Sequence, residues 1–480
     1  MAIATRTRRI VPMRRERLAD LETPVSAFAK LRRAFGGAFL LESAEGGERM
    51  GRFSFIGVLP RVTLACRDGV ATIRDEDGAV RTVPYTDPLQ VIRTELGRYE
   101  REPDAALPRF SGGAVGYVGY EAARRFERLT LAAHDPHGLP EASFAVYDTV
   151  VAFDHLRHSL TVLAHDDADD PGRAAPTIER VFSALDEPLV LAEPHDGVAR
   201  TVRANGTPEE FQSRVIRARE LIRDGDCIQI VIAERFDVTP APEPLSLYRA
   251  LRHVNPSPYM FCLDAGEVTL VGASPEPFVR VESGRVVMHP IAGTRPRGSD
   301  EREDTANEAE LRTSEKERAE HVMLVDLARN DIGRVASGGS VRVSELMRVD
   351  RFSHVMHLTS VVEGALRPDL DALDAFRACF PAGTVSGAPK IRAMERIAEL
   401  EPDQRGPYAG AVGYLGFDGN LDTCIAIRTA ALSRGICRIQ AGAGIVADSD
   451  PAAEEAESRA KARALLRAIE MLGGLQEVRR

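Results

Sequence analysis

The clearest pattern of apolar and polar positions begins at residue 207. Residues 207–210 spell Thr-Pro-Glu-Glu, which is typical of a capping box with proline at the first helical position. Apolar side chains then recur every three or four residues and share one helical face: Phe211, Val215, Ala218 and Ile222. Gly225 and Asp226 end this helix, and the apolar run 227–233 predicts a buried strand.

The same patterns divide the chain into two folded stretches and a weaker link. Residues 14–165 contain strand-like runs such as 62–66 and 147–153. Residues 166–205 are rich in Asp, Pro and Ala, which predicts a loop-rich connection holding a short helix. Helix and strand patterns are stronger over residues 206–474. Pattern alone therefore predicts a mixed α and β protein.

Two short segments of the chain have similar sequences. Residues 112–120 spell GGAVGYVGY, and residues 409–417 spell AGAVGYLGF. Glycine inside a strand usually marks a bulge or a close approach of another backbone, so both segments are expected to be crowded strands. A single repetition does not predict a repeat protein.

Composition excludes several classes of protein. With 480 residues, 44% of them hydrophobic, the chain can bury a sizeable core and is not disordered as a whole. Its net charge of −10 argues against a protein that chiefly binds nucleic acid or an anionic membrane. No stretch approaches the roughly 18 apolar residues of a membrane-spanning helix. Six cysteines without a CxxC pair fit a reducing compartment, so we expect a cytoplasmic protein.

Two pairs of carboxylates have helical spacing. Glu317 and Glu320 share one helical face, and so do Glu454 and Glu457, with Lys461 four residues further along. Two such faces brought together would form an all-oxygen pocket suited to Mg²⁺. Solvated helix faces have the same spacing, so the residues leave both interpretations open.

Other segments offer groups for chemistry or binding. His357 could act as an acid–base group, since imidazole titrates near neutral pH, although the residues alone favour a hydrogen-bonded structural histidine. Arg428 follows an apolar run, and a guanidinium inside a cavity needs an anionic partner. The glycine-rich segment 440–444 could present N–H groups to an anion or form a tight turn. Residues 383–390 lack the Gly-Lys-Ser/Thr ending of a phosphate loop, which argues against a nucleoside triphosphate site.

Longer motifs change this picture. The chain carries, in order, PIAGTRPRG at 290–298, KERAEHVMLVDLARND at 316–331, PAGTVSGAPK at 381–390 and QAGAGIVADSDP at 440–451. With these motifs and LLES at 40–43, it resembles the anthranilate synthase component I family of chorismate-using enzymes through nearly its whole length. The resemblance implies an α+β fold of two large, mainly antiparallel sheets packed together, with helices outside. It makes 14–165 a regulatory half, 166–205 a connection and 206–474 the chorismate-binding catalytic half.

The activity that the resemblance implies is that of a Mg²⁺-dependent lyase. Chorismate and ammonia would give anthranilate and pyruvate, the first committed step of tryptophan biosynthesis. Ammonia would attack C2 with loss of the C4 hydroxyl, and pyruvate would then be eliminated. The resemblance makes Glu320 and Glu457 the Mg²⁺ ligands, with Glu317 and Glu454 beside them through water.

The resemblance also implies roles for residues around the substrate. His357 is expected to be the acid–base residue, Thr384 to lie near the reacting ring and Lys461 to neutralise charge. Glu317 is a candidate for the acid that protonates the departing hydroxide. The expected substrate contacts are Gly293, Thr294, Tyr408, Arg428, Gly442, Ala443 and Gly444.

Two positions distinguish members of the family. Aminodeoxychorismate synthases of the folate pathway often have a lysine nucleophile where this chain has Ala292, which cannot form a covalent adduct. Gln229 stands where isochorismate- and salicylate-forming relatives place a water-activating lysine. Both positions favour anthranilate formation, and aminodeoxychorismate synthase component I is the main alternative. A non-catalytic tryptophan-binding subunit is disfavoured because it would not need Glu320 or His357.

Regulation and partners are implied as well. Feedback inhibition by L-tryptophan is expected at a pocket formed by Leu41, Glu42, Ser43, Pro258, Tyr259 and Met260, although these segments could instead be structural. No glutaminase domain is recognisable, so a separate glutamine amidotransferase subunit (component II) would supply ammonia within a hetero-oligomer. Met50 and Ala460 depart from the aromatic residue and the asparagine that relatives often carry.

Overall fold

Two large β-sheets dominate the computed structural model, which describes residues 7–43, 51–101, 104, 106–191, 195–351 and 355–478. One sheet has fourteen strands and the other has twelve. Strands β1 to β13 are Arg8–Leu18, Phe39–Glu42, Phe53–Val58, Val62–Arg67, Val70–Asp75, Val80–Pro84, Tyr99–Arg101, Gly113–Val118, Ala142–Tyr147, Thr149–Asp154, Ser159–Asp167, Arg200–Ala204 and Gln229–Thr239. Strands β14 to β26 are Tyr259–Asp264, Thr269–Ser274, Pro277–Glu282, Arg285–Met288, Ile291–Pro296, Arg342–Arg351, Val355–Ala365, Gly387–Ala388, Ala411–Gly416, Leu421–Ile425, Thr429–Ser433, Ile436–Ile445 and Leu475–Glu477.

Both sheets combine strands from before and after the 166–205 connection. The larger sheet has the order β26-β12-β13-β25-β24-β15-β14-β2-β3-β10-β11-β1-β7, with β21 beside β13. The smaller sheet has the order β18-β20-β17-β16-β23-β22-β8-β9-β4-β5-β6, with β19 beside β20. The pairs β1–β7 and β12–β26 are parallel, and the other pairs among the described strands are antiparallel. Because β2 pairs with β14 and β8 with β22, the two halves of the chain share both sheets.

The helices lie on the outer faces of the sheets. Helices α1 to α12 are Pro24–Phe35, Pro88–Leu96, Ala123–Phe126, Ala174–Asp186, Pro208–Arg223, Pro244–Val254, Glu301–Thr313, Glu315–Gly333, Ala372–Cys379, Gly383–Ser386, Lys390–Leu400 and Pro451–Glu470. One apolar cluster joins α1, α4, α6 and α12 to the larger sheet, and another joins α2, α8 and α9 to the smaller one. Among the described helices, none combines the length and apolar character needed to cross a bilayer.

The inner faces of the sheets meet in an aromatic core. Phe39 of β2 in the larger sheet contacts Tyr147 of β9 in the smaller sheet, with ring centroids 4.8 Å apart. Phe55 of β3 packs near Tyr414 of β22 in the same way, at 6.4 Å. These contacts belong to one buried cluster that draws side chains from both sheets. The expected α+β fold, with two packed sheets and helices outside, is confirmed.

The repeated glycine-rich segments pair with each other. They form β8 and β22, which are antiparallel neighbours with Gly116 opposite Gly413. A Cβ at Gly116 would lie 2.1 Å from the carbonyl oxygen of Ser143, and one at Gly413 would lie 2.2 Å from that of Asp422. The close backbone approach predicted from the glycines is confirmed.

Most local predictions agree with these elements, with one exception. Helix α5 has the predicted capping box, in which the Thr207 side chain accepts from the backbone N–H of Glu210. The predicted run 62–66 lies in β4, and the run 227–233 overlaps β13. The single strand expected over 147–153 is wrong, because β9 ends at Tyr147 and β10 begins at Thr149 in the other sheet. Apolar residues continue on both sides of the buried Asp148, so the pattern hides the change of sheet.

Candidate active site

His357 lies on β20 opposite a bulge in β18. The register between these strands shifts at Gly293, which leaves Thr294 paired with His357. Gly293 has a φ of +68°, and a Cβ there would lie 2.8 Å from Leu311 Cδ1 and 3.1 Å from Glu317 Oε2. Glycine is therefore required at the bulge both by the backbone conformation and by the space available.

The hydrogen bonds of His357 define which ring nitrogen can act as a base. Its Nδ1 lies 2.9 Å from the carbonyl oxygen of Gly293 and 3.2 Å from the hydroxyl of Thr294. A carbonyl oxygen only accepts, so Nδ1 carries the proton and the lone pair lies on Nε2. Burial lowers the pKa of His357, and the nearby charge of Arg428 lowers it further. The imidazole is therefore neutral at pH 7 and can accept a proton.

Arg428 is placed by the turn between β23 and β24. Its φ is +49°, and its guanidinium donates to the carbonyl oxygen of Lys461 at 2.9 Å. Burial lowers the pKa of Arg428, and Tyr408 and Glu457 oppose this effect. A guanidinium whose desolvation is incompletely compensated favours binding of an anion.

The glycine-rich segment lies inside β25 rather than in a turn. Gly442 pairs with Ala233 and Gly444 with Val231, but the Ala233 N–H donates to Glu401 at 2.8 Å instead of crossing to β25. Gly442 and Gly444 are thus non-hydrogen-bonded positions of the ladder, whose N–H and C=O groups point away from β13. The Nζ of Lys461 donates to the Gly442 carbonyl at 3.1 Å on that side.

Ala443 lies between the two glycines and pairs with Ile232 of β13. Its backbone groups therefore point towards β13, and its methyl group is fully buried. Of the three residues, the two glycines present N–H groups on the side of Lys461 and Arg428. A side chain would not fit at Gly442, since a Cβ there would lie 2.4 Å from the Ile232 carbonyl oxygen.

The two carboxylate pairs converge as their spacing allows. Glu317 and Glu320 project from α8, and Glu454 and Glu457 project from α12. Burial raises the pKa of Glu320, and the negative charges of Glu317 and Glu457 raise it further. Burial raises the pKa of Glu454 as well, and Glu457 adds to this. Between the two helices, the repulsion is therefore between Glu320 and Glu457.

Two basic side chains pair with these carboxylates. Arg295 donates to Glu317 at 3.1 Å, and Lys461 Nζ lies 2.7 Å from Glu457 Oε1. In this arrangement no three His, Cys, Asp or Glu side chains of the described residues gather around one point. The oxygen donors and their unfavourable mutual charge fit a hard divalent cation in chemical kind, because Mg²⁺ takes a few carboxylates and keeps several waters.

Glu276 is a site residue that the sequence patterns did not reveal. It follows β15 between two prolines and lines a cavity together with Thr384 of α10 and Leu324 of α8. Burial raises the pKa of Glu276 to about 7, although Thr384 and Lys461 act in the opposite direction. A carboxyl group with this pKa exists in both protonation states near neutral pH and can donate a proton. A glutamate flanked by prolines directly after an apolar strand was the available signal.

Gln229 and Tyr408 complete the surroundings of the site. Nε2 of Gln229 lies 3.4 Å from Glu320 Oε1. The side-chain oxygen of Gln229 is buried and has no hydrogen-bond partner among the described groups. Tyr408 is buried between α11 and β22, and burial raises its pKa to about 12 against the effects of Arg405 and Arg428. Contacts and charge interactions thus link His357, Arg428 and Lys461 to Glu457, and Glu457 to Glu320. The region that holds these residues is called the cleft below.

A second cavity gathers residues of the predicted tryptophan pocket. Tyr259 donates to Asp422 Oδ1 at 2.9 Å, and Arg109 lies 3.7 Å from Asp422 Oδ2. Five of the six predicted residues line this cavity: Leu41, Glu42, Ser43, Pro258 and Tyr259. Sequence patterns did not point to the other lining side chains, which include Phe53, Phe55, Arg109, Phe261, Tyr414 and Asp422.

The remaining residues of interest lie elsewhere. Met260 is buried in the cluster between the larger sheet and its helices, on the face of β14 opposite Tyr259. The Glu42 carboxylate accepts from the hydroxyl of Tyr248 on α6. Ala460 is exposed on α12, and Met50 lies outside the described residues.

Comparisons with known proteins identify the family to which the chain is similar. Residues 37–467 match the family described as chorismate binding enzyme. Anthranilate synthase component 1 of Thermus thermophilus is 50% identical over 470 residues, which cover 96% of this chain and 98% of that protein. Anthranilate synthase component 1 of Acetivibrio thermocellus is 44% identical over 479 residues, which cover 97% of each protein.

Solved structures extend the likeness to three dimensions. The crystal structure of anthranilate synthase component I from Streptococcus pneumoniae superposes with a TM-score of 0.78 at 39% identity, covering 86% of this chain and 92% of that chain. The menaquinone-specific isochorismate synthase of Escherichia coli superposes with a TM-score of 0.71 over 97% and 95% of the two chains. At 19% identity the second likeness concerns the fold alone.

Proposed function

This chain belongs to the chorismate binding enzyme family, among the anthranilate synthase component I proteins, and from that premise we propose that it converts chorismate and ammonia to anthranilate and pyruvate. This is a lyase reaction and the first committed step of tryptophan biosynthesis. The observation that carries the proposal is the convergence of Arg428, the Gly442 and Gly444 N–H groups, His357 and four carboxylates on one cleft.

The reaction balances without an external oxidant or reductant. A C–N bond forms at C2 as ammonia attacks, the new ammonium group loses one proton, and the C4–O bond breaks so that the protonated hydroxyl leaves as water. The C2 proton is then removed, the C3–O bond to the enolpyruvyl group breaks, and pyruvate leaves once its enol carbon has gained a proton. Loss of pyruvate makes the ring aromatic.

We assign the enolpyruvyl carboxylate to the basic side of the cleft. Arg428 and the N–H groups of Gly442 and Gly444 face this side, beside Lys461, and together they offer charge and directed hydrogen bonds to an anion. Tyr408 lies near enough to Arg428 for the arginine charge to affect the pKa of its hydroxyl, and we assign this hydroxyl as a further contact. Gly293 and Thr294 form the neighbouring wall beside His357.

The ring carboxylate belongs on the acidic side. We propose that Glu320 and Glu457 hold a Mg²⁺ ion there, with Glu317 and Glu454 bound to it through water. The bound ion would neutralise the ring carboxylate and fix its position. With Arg428 on the other carboxylate, the substrate would be held at two points, so the orientation of its ring would be set. Lys461 would balance the charge of Glu457.

Two proton transfers are assigned to residues of this chain. Glu276, whose pKa burial raises to about 7, is suited to protonate the departing C4 hydroxyl, and Thr384 beside it would orient its carboxyl. Glu317 stays a second candidate for this role, but its charge is already compensated by Arg295. Neutral His357 is suited to remove the C2 proton through Nε2.

The alternative within the family is aminodeoxychorismate synthase, whose product keeps the enolpyruvyl group. Ala292 lies on β18 one residue before the bulge, and a methyl group there cannot serve as a nucleophile. Gln229 beside Glu320 likewise offers no basic amine to activate water. Both residues support anthranilate as the product.

We further propose that a glutamine amidotransferase subunit supplies the ammonia and that L-tryptophan inhibits the enzyme. The partner is supported by the component 1 names of the relatives. Tryptophan binding is supported by the aromatic cavity that holds Tyr259, Arg109 and Asp422. A cytoplasmic location is supported by the six cysteines, which are all buried free thiols.

The test follows anthranilate fluorescence in a mixture of purified protein, chorismate, Mg²⁺ and ammonium. The chain contains no tryptophan, so its own emission interferes little. We expect anthranilate to appear, to decrease when L-tryptophan is added, and to require the partner subunit when glutamine replaces ammonium. Consumption of chorismate without anthranilate would support the aminodeoxychorismate alternative. No consumption would overturn the enzymatic assignment.

A further inference from the structure

Arg405 is the largest fully buried side chain of the described structure. It lies three residues before Tyr408, and only 1% of its surface is exposed. Its guanidinium forms a bidentate salt bridge with Glu401, with Nε 2.8 Å from Oε2 and Nη2 2.6 Å from Oε1. A charge this deeply buried is costly unless it is paired and hydrogen-bonded, and Glu401 supplies that compensation.

The other hydrogen bonds of Arg405 go to two distant segments. Nη1 donates to the carbonyl oxygen of Val385 at 2.7 Å, and Nη2 donates to that of Val231 at 2.9 Å. Val385 directly follows Thr384, and Val231 is the residue of β13 that pairs with Gly444. The guanidinium therefore connects the Thr384 turn with β13, the strand that pairs with Gly442 and Gly444 of β25.

Aromatic contacts and the backbone extend these connections. The guanidinium carbon lies 5.6 Å from the ring centroid of Tyr408 and 4.7 Å from that of Tyr120. The backbone N–H groups of Arg405 and Gly406 donate to the two carboxylate oxygens of Glu121, at 2.7 and 2.9 Å. The segment that leads to Tyr408 is thus held against the N-terminal half of the chain.

We propose that Arg405 is a positioning residue of the active site, which orients Thr384, Tyr408 and the Gly442–Gly444 edge without touching substrate. The proposal rests on the proposed function. A purely stabilising pair would need only Glu401, whereas Arg405 also contacts the Thr384 turn, the ring of Tyr408 and the strand β13 that pairs with the Gly442–Gly444 segment of β25. A guanidinium can make these bonds at once because its donors lie in one plane and diverge in fixed directions.

The test compares Arg405→Lys with a matched control. A lysine keeps the charge beside Glu401, but it cannot bind Val385 and Val231 together or cover the ring of Tyr408. We expect kcat to fall by about 10²-fold, the size of effect that a displacement of about 1 Å produces. KM for chorismate should rise by a smaller factor, and the Kd for L-tryptophan should change by less than about twofold, since that cavity lies outside these contacts.

The control is Arg61→Lys. Arg61 is also buried, pairs with the buried Asp148 and donates to the carbonyl oxygen of His165 at 3.3 Å, all away from the cleft. This change should lower Tm to a similar extent and leave kcat unchanged. The proposal is overturned if folded Arg405→Lys keeps kcat and KM within twofold of the unmodified protein, or if Arg61→Lys loses kcat equally at a matched Tm.

A second variant covers the case in which Arg405→Lys does not fold. Glu401→Gln keeps the size of the partner and leaves the bonds of Arg405 to Val385 and Val231 possible, but it removes the charge that holds the guanidinium in place. We expect a fall in kcat of about tenfold, because the positioning is loosened and not lost. An unchanged kcat in this variant would overturn the proposal. If the unmodified protein makes no anthranilate, the proposed function fails first, so the two failures are distinguishable.

Discussion

The active-site cleft and the predicted tryptophan cavity are built on different principles. The cleft is rich in charges: the carboxylates of α8 and α12 repel one another, and burial lowers the pKa of Arg428 opposite them. The cavity is lined mainly by aromatic and apolar side chains, with the single close acid–base pair Arg109 and Asp422 among its lining residues. The cleft therefore favours a ligand that supplies compensating charges. The cavity favours a ligand that buries apolar surface in it.

The difference shows how each region selects its ligand. Unbalanced charges in the cleft favour a molecule that brings two carboxylates and a cation. An aromatic cavity with two hydrogen-bonded acids, Glu42 and Asp422, and one nearby base, Arg109, favours a planar apolar molecule with a small polar end. The two regions meet on β23, which carries Asp422 at the cavity and leads within three residues of its end to Arg428.

The largest expected effect concerns the acidic side of the cleft. Glu457→Gln removes one of the charges that favour a cation, and we expect turnover to fall by about 10³-fold, since Lewis-acid stabilisation contributes several kcal/mol. The matched control is Glu455→Gln, which alters a neighbouring carboxylate that pairs with Arg459 instead. Anthranilate formation across a Mg²⁺ titration measures the change, and calorimetry measures tryptophan binding. Retained turnover in Glu457→Gln would remove the metal assignment.

The next effect concerns proton donation and pH. Glu276 must be protonated to act as an acid, and its pKa is about 7, so the rate should fall as the pH rises above 7. On the acid side the rate should fall as His357 gains a proton, at a pH below the usual imidazole range because its pKa is lowered. Glu276→Gln should reduce kcat by about 10²-fold and abolish the alkaline decline. An alkaline decline that persists in this variant would exclude Glu276 as the acid.

A smaller effect tests the cavity. Tyr259→Phe removes the hydrogen bond to Asp422 and leaves a buried acceptor less satisfied. We expect the Kd for L-tryptophan, measured by calorimetry, to rise by about five- to tenfold, which corresponds to about 1–1.4 kcal/mol. Tyr117→Phe is the control, since it loses a buried bond to the Pro140 carbonyl outside the cavity. Equal changes in both variants would show that the cavity is not where tryptophan binds.

The smallest effect lies outside both regions. Thr207→Ala removes the side-chain cap of α5 and should lower the free energy of unfolding by about 1 kcal/mol. Denaturant titration measures this loss, while kcat and the Kd for tryptophan should keep their values. If either changed severalfold, α5 would have to be counted as part of the cleft or the cavity.

Local patterns predicted the pieces of the fold better than their arrangement. Helix α5 with its cap and the crowded glycine strands both follow from neighbouring residues. The division into two strands at Asp148 does not follow from neighbouring residues, because the apolar residues on both sides are compatible with one strand or with two. Local patterns also do not show which strands are neighbours in the larger sheet. The pairing of β2 with β14, for example, joins residues more than 200 positions apart.

The candidate site divides in the same way. Helical spacing predicted that Glu317 and Glu320 share one face, and resemblance to a family assigned most of the remaining residues. Glu276 was missed because no motif or spacing in the sequence distinguishes it from other glutamates. Burial in the folded protein raises its pKa to about 7. Arg405 was missed because nothing in its neighbours indicates a fully buried guanidinium.

By itself the sequence determined the α+β composition, the helix faces that carry the carboxylate pairs and, through its motifs, the family. Tertiary structure alone decided that the two carboxylate faces meet, that Gly442 and Gly444 turn their N–H groups away from β13, and that Met260 lies on the opposite face from Tyr259. The physical reason is one of range. Helix caps and periodicities depend on residues a few positions apart, whereas desolvation and charge repulsion depend on which distant segments the packed sheets bring together.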